Sequence, residues 1–79
     1  MEKLPILSGK ELLRILCNEF GFSIARIEGD HFIVKGLRNG RLKTFPVPSY
    51  REIGRKLFSR ILKEAEISKE DFAKAYFKR

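Results

Sequence analysis

The 79-residue chain contains one histidine, His31, in the stretch EGDHFIVKG at residues 28–36. An imidazole has an unperturbed pKa of ~6.5, so it gains and loses a proton near neutrality. Asp30 precedes it and could steer the ring, although an aspartate after a glycine also serves plain turn chemistry. Lys35 follows on the same face of an extended strand. Such a set is close to what cleavage of an RNA phosphodiester requires. A base removes the 2′-OH proton, the oxygen attacks the adjacent phosphorus, and an acid protonates the departing 5′-oxygen. Cationic side chains offset the charge gathering on the phosphate. The plainer reading is that a lone histidine opening a strand is a partly exposed polar residue.

Other chemistries find little in this sequence. No Ser/His/Asp set has recognisable spacing, and no pair of carboxylates stands out. LSGKEL holds only the tail of a phosphate-binding loop, without the preceding strand and glycine. No Cys/His cluster has zinc spacing, so neither a metal nor a small-molecule cofactor is expected. Cys17 adjoins the apolar stripe of the first helix and reads as a core or boundary residue rather than a nucleophile. A single cysteine forms no internal disulfide, which fits a reducing, cytoplasmic setting. The opening MEKLPILSGKEL has no long apolar run and reads as neither signal peptide nor membrane span.

The formal net charge is +7, and its placement is uneven. Residues 35–63 carry nine Lys/Arg against one acid, Glu52. A basic field of this kind attracts phosphate backbones or an acidic protein partner. Lys10, Lys35, Arg41, Lys43, Arg55 and Lys56 are the candidate nucleic-acid contacts.

These residues need a scaffold, and the length allows one small domain, residues 1–79. SGKE at 8–11 is a capping box, in which Ser8 and Glu11 satisfy each other's free backbone N–H groups. Leu12, Leu13, Leu16 and Phe20 follow at helical spacing, and Gly21 is a natural stop, so a helix is expected over 9–20. Residues 22–28, 31–35 and 41–47 read as strands. Gly29-Asp30 makes a tight turn and GLRNG at 36–40 a longer hairpin loop. Pro46 cannot donate to a ladder, which argues for an edge strand or a strand end. Short connections imply an antiparallel meander. Leu57, Phe58, Ile61, Leu62 and Ala65 form one face of a helix near 54–65. SKED at 68–71 caps a short last helix. The expected fold is α+β, order α-β-β-β-α with a terminal helical turn or two. Its three-stranded antiparallel sheet carries the helices on one face, with Phe32 and Val34 turned toward them.

In these segments the chain resembles the HicA, or YcfA-like, family of toxin mRNA interferases. The likeness is carried by LPILSGKELLRIL at 4–16, GFSIARIEGDHFIVK at 21–35, TFPVP at 44–48 and REIGRKLFSRILKEAEISKEDF at 51–72. The resemblance implies a fold similar to a double-stranded RNA-binding domain. It implies metal-independent cleavage of mRNA with the histidine after the Gly-Ser/Asp turn, here His31, as the catalytic residue. It also implies a HicB-type antitoxin that binds over the active face. The chain departs from the family where Ser49 and Tyr50 stand at the place of a frequent second histidine. Glu66 replaces the usual glycine before Ile-Ser, and Val34 takes the place of an aromatic. Two other functions fit the same residues: a non-catalytic module reading double-stranded RNA, and a degenerate toxin acting only through protein binding.

Overall fold

The computed structural model describes residues 4–78. Met1, Glu2 and Lys3, part of the opening read as neither signal peptide nor membrane span, lie outside the described residues, as does Arg79. The element order is α1 (Gly9–Phe20), β1 (Ser23–Glu28), β2 (His31–Arg38), β3 (Arg41–Pro48), α2 (Arg55–Ala65) and α3 (Lys69–Phe77). The strands form one antiparallel sheet in the order β1-β2-β3. This is the expected α+β meander with an added full helix at its end. Pro46 lies on β3, an edge strand, where its missing N–H costs no ladder bond.

Both ends of α1 follow from local chemistry. The Ser8 Oγ accepts from the Glu11 N–H at 3.1 Å, and Glu11 Oε1 accepts from the Ser8 N–H at 3.1 Å. Gly21 closes the helix in the left-handed region at φ 76°, open to glycine without penalty. Between these caps Leu12, Leu13, Ile15 and Leu16 are buried. They meet Val34, Phe45 and Val47 of the sheet, Ile61, Leu62 and Ala65 of α2, and Phe72 and Ala75 of α3 in one core. Fully burying a side chain of this size contributes about 1.5–3 kcal/mol, so this single cluster holds most of the stability of so small a domain. Phe72 packs edge-on against Phe58 at 5.1 Å and stacks on Phe20 at 6.3 Å, tying the three helices together.

The hairpin between β2 and β3 differs from expectation. β2 runs to Arg38 rather than Lys35, and the loop is the two residues Asn39 and Gly40. Both have positive φ, 52° and 76°, as the tightest hairpin turns require. Gly36, which reads as loop punctuation, sits inside β2 because the buried Phe22 ring occupies the space a side chain would need. A Cβ there would lie 2.5 Å from a ring carbon. Arg38 is likewise a strand residue. It donates to the Glu66 carbonyl at 3.2 Å at the end of α2, and its guanidinium lies 5.4 Å from the Phe20 ring centroid.

Glu66 ends α2 in the left-handed region at φ 56°, a position that favours glycine. Its carboxylate pairs with Lys43 and with Arg41 (3.7 Å) and accepts from Asn39 Nδ2 at 3.1 Å. Hydrogen bonds from Lys43 and Asn39 and the charges of Lys43 and Arg41 lower the Glu66 pKa from its ordinary value. A carboxyl held low in the folded state stabilises the fold above its unfolded pKa. That contribution is lost as pH falls through the folded pKa, at the acid end of the glutamate range. Glu66→Ala removes the ion pairs and keeps the strain; Glu66→Gly removes both. Thermal melts at neutral pH should therefore rank Glu66→Ala below Glu66→Gly. Both variants should lose less stability than the parent between neutral pH and pH 4. Equal melting points for the two variants would contradict the strained cap.

Candidate active site

His31 opens β2 immediately after the Gly29-Asp30 turn. Its cross-strand partners are Glu28 on β1 and Pro48 on β3. Residues directly opposite in an antiparallel pair share a face. Val34, Phe45 and Val47 define the helix side, so His31, Ile33, Lys35 and Leu37 point to the open side with Thr44 and Leu42. Phe32 and Val34 face the helices, as expected.

The turn relaxes the strand alternation enough for Asp30 to reach its neighbour. Asp30 Oδ1 lies 2.7 Å from His31 Nδ1. A carboxylate only accepts, so Nδ1 carries the proton in this pair and Nε2 is the nitrogen left for other work. The His31 side chain is 39% exposed, accessible yet walled. One wall is Tyr50, whose ring centroid is 6.2 Å away at an interplanar angle of 73°. The Ser49 N–H donates to the Asp30 carbonyl at 2.7 Å and the Gly9 N–H to the Tyr50 carbonyl at 2.9 Å. These bonds fasten the segment after β3 across the turn that holds His31, and fasten the start of α1 to that segment.

The six basic candidates separate into three groups. Lys10, in the first turn of α1, is exposed at the end of the molecule where Gly9 meets Tyr50. Arg55 and Lys56 open α2, just beyond the same segment, and are also exposed. None of the three forms an ion pair among the described residues. Lys35 shares the open face with His31 but lies four residues along the strand, about 13 Å at ~3.3 Å per residue. Arg41 and Lys43 pair in register with Arg38 and Gly36, which puts them on the helix side, and both are engaged by Glu66. The structure does not bring these two to His31.

Three features were missed in the sequence. Tyr50 reads there as a loop residue at the place of a frequent second histidine, and nothing local announces its contact with His31. Leu37 and Leu42, each 68% exposed, face each other on the open side and give it an apolar strip. Arg60 and Lys63, with Ser59 and Glu64, line a shallow groove against Lys43. The helical spacing of Lys56, Arg60 and Lys63 was the available signal for that groove. Cys17 is half-buried in α1, and desolvation pushes its thiol pKa up, away from nucleophilic use. Among the described residues no three His, Cys, Asp or Glu side chains gather as a metal site, and no helix is long and apolar enough to cross a membrane.

The fold is a small basic α+β arrangement with a half-exposed imidazole held by a carboxylate at one end of the sheet. Residues 9–67 match the family model of the HicA toxin of bacterial toxin–antitoxin systems, and the chain belongs to that family. Toxins of such systems pair with antitoxins. No curated protein and no solved structure matched the chain.

Proposed function

We propose that this toxin is a metal-independent endoribonuclease that cleaves mRNA, with His31 as the proton-transfer residue. The observation that carries the reading is the Asp30–His31 pair, 2.7 Å apart at the rim of the open face. With Nδ1 committed to Asp30, Nε2 takes the 2′-OH proton as the oxygen attacks phosphorus. The resulting imidazolium, or a water it polarises, returns a proton to the leaving 5′-oxygen. The carboxylate keeps the tautomer and stabilises the charged ring. Lys10, Arg55 and Lys56 hold the RNA backbone at this end, and Lys35 holds a phosphate farther along the strand. Arg41 and Lys43 serve the fold through Glu66. A HicB-type antitoxin covers the open face, burying Leu37 and Leu42 along with His31.

The purified protein should shorten RNA in the presence of a chelator. Binding without cleavage under those conditions would leave a non-catalytic RNA-binding module or a degenerate toxin instead. Asp30→Asn keeps a hydrogen-bond acceptor and removes the charge. Because the pair is solvent-screened, the cleavage rate should fall by about tenfold at most. A thousandfold loss in single-turnover kinetics would show that Asp30 takes a larger part in the chemistry.

A further inference from the structure

Tyr50 is used by neither the core nor the proton transfers. It is a large aromatic side chain, 46% exposed, on a short connection between β3 and α2. Its backbone is nevertheless fixed. Its carbonyl accepts from Gly9, its neighbour Ser49 donates to the Asp30 carbonyl, and the Gly9 backbone approaches too closely to leave room for a side chain. The ring is thus an exposed aromatic plate on a fixed backbone, edge-to-face with the imidazole at 6.2 Å, within the reach of one nucleotide. Exposed cations flank it at Lys10, Arg51, Arg55 and Lys56, none in an ion pair among the described residues. An exposed aromatic inside a basic field is how proteins hold unpaired bases, since every base has a face to stack and every nucleotide a phosphate to neutralise.

We propose that Tyr50 stacks an unpaired nucleobase next to the phosphodiester whose 2′-OH His31 deprotonates, so that the substrate is single-stranded RNA. The inference rests on the ribonuclease reading and deepens it. In an A-form duplex both faces of a base are covered by its neighbours, and the base edges are hard to reach from the deep groove. The Tyr50 plate therefore finds a partner only in an unpaired strand. The ring acts by its face, so the hydroxyl is dispensable.

The test uses His31→Ala protein, which should bind RNA without cutting it, and a fluorescent single-stranded RNA oligonucleotide read by anisotropy. Tyr50→Ala and Tyr50→Leu added to it should weaken binding by roughly 5- to 150-fold, the range of one lost base stack. Tyr50→Phe should bind like the His31→Ala parent. Affinity for a matched duplex should not respond to Tyr50. Unchanged single-strand affinity in Tyr50→Ala would overturn the inference, as would an equal loss for duplex or a loss in Tyr50→Phe matching that in Tyr50→Ala. Melting curves confirm that each variant is folded. Cleavage is scored separately on protein with His31 intact. Active cleavage with Tyr50-independent binding rejects the stacking alone. Tyr50-dependent binding without any cleavage rejects the ribonuclease reading alone.

Discussion

Replacing His31 with alanine is expected to lower the single-turnover rate of RNA cleavage by about 10²–10⁴-fold, the usual contribution of a positioned acid–base group. Growth inhibition on expression should disappear with it. RNA affinity should change little, because the proposed phosphate contacts from Lys10, Lys35, Arg55 and Lys56 would supply most of the binding without the imidazole. Stability should hardly move. His31 is half-exposed, and among the described residues its side chain bonds only the adjacent, exposed Asp30. Melting temperature, affinity and rate measured on one preparation separate this pattern from misfolding. A His31→Ala protein that still cuts RNA at the parent rate would remove His31 from the mechanism.

Gly9→Ala should destabilise the protein by about 1–3 kcal/mol or more, the usual cost of overpacking. In a domain of this size that corresponds to a melting-point fall of about 4 °C or more. Helix propensity points the other way, since alanine is favoured over glycine by about 0.8–1 kcal/mol within a helix. Packing decides the sign. A Cβ on Gly9 would lie 1.9 Å from the Pro48 carbonyl oxygen and 3.1 Å from the Ser49 Cα, and backbone cannot rotate aside as a side chain can. The same displacement would disturb the Gly9–Tyr50 and Ser49–Asp30 bonds and so the wall beside His31. Thermal denaturation of Gly9→Ala checks this; a melting point at or above the parent's would contradict the close approach.

Much of the scaffold was legible because its signals are local. The Ser8 capping box, the stop at Gly21, the apolar stripe of α2 and the Ser68 cap each act over a few residues. Gly36 misled because a glycine within a strand looks like punctuation, and only the Phe22 ring, brought over from the connection between α1 and β1, explains it. That reading hid the Asn39-Gly40 turn, and the consequence reached the site. A loop over 36–40 pairs Lys35 with Arg41 and turns Arg41 and Lys43 toward His31. The two-residue turn pairs Arg38 with Arg41, an odd shift in register, and sends both to the helix side.

His31 itself could be read from the sequence, being the only imidazole and standing after a turn. Its surroundings could not. Tyr50 reaches it through the pairing of His31 with Pro48 and the bonds that carry the chain past Asp30, all between residues distant in sequence. Glu66 stood out only as a replacement of a usual glycine; the partners that compensate its left-handed backbone, Asn39, Arg41 and Lys43, come from the hairpin and were not legible.

The central claim, that an imidazole moves the 2′-OH proton and the ribose oxygen displaces the 5′-oxygen, leaves a signature on the product. The most direct measurement is mass spectrometry of the termini formed when the wild-type protein cuts RNA in excess chelator. The mechanism predicts 2′,3′-cyclic phosphate and 5′-hydroxyl ends, formed by wild type and absent with His31→Ala. Ends bearing 3′-hydroxyl and 5′-phosphate, or cleavage that stops when the chelator is added, would contradict it.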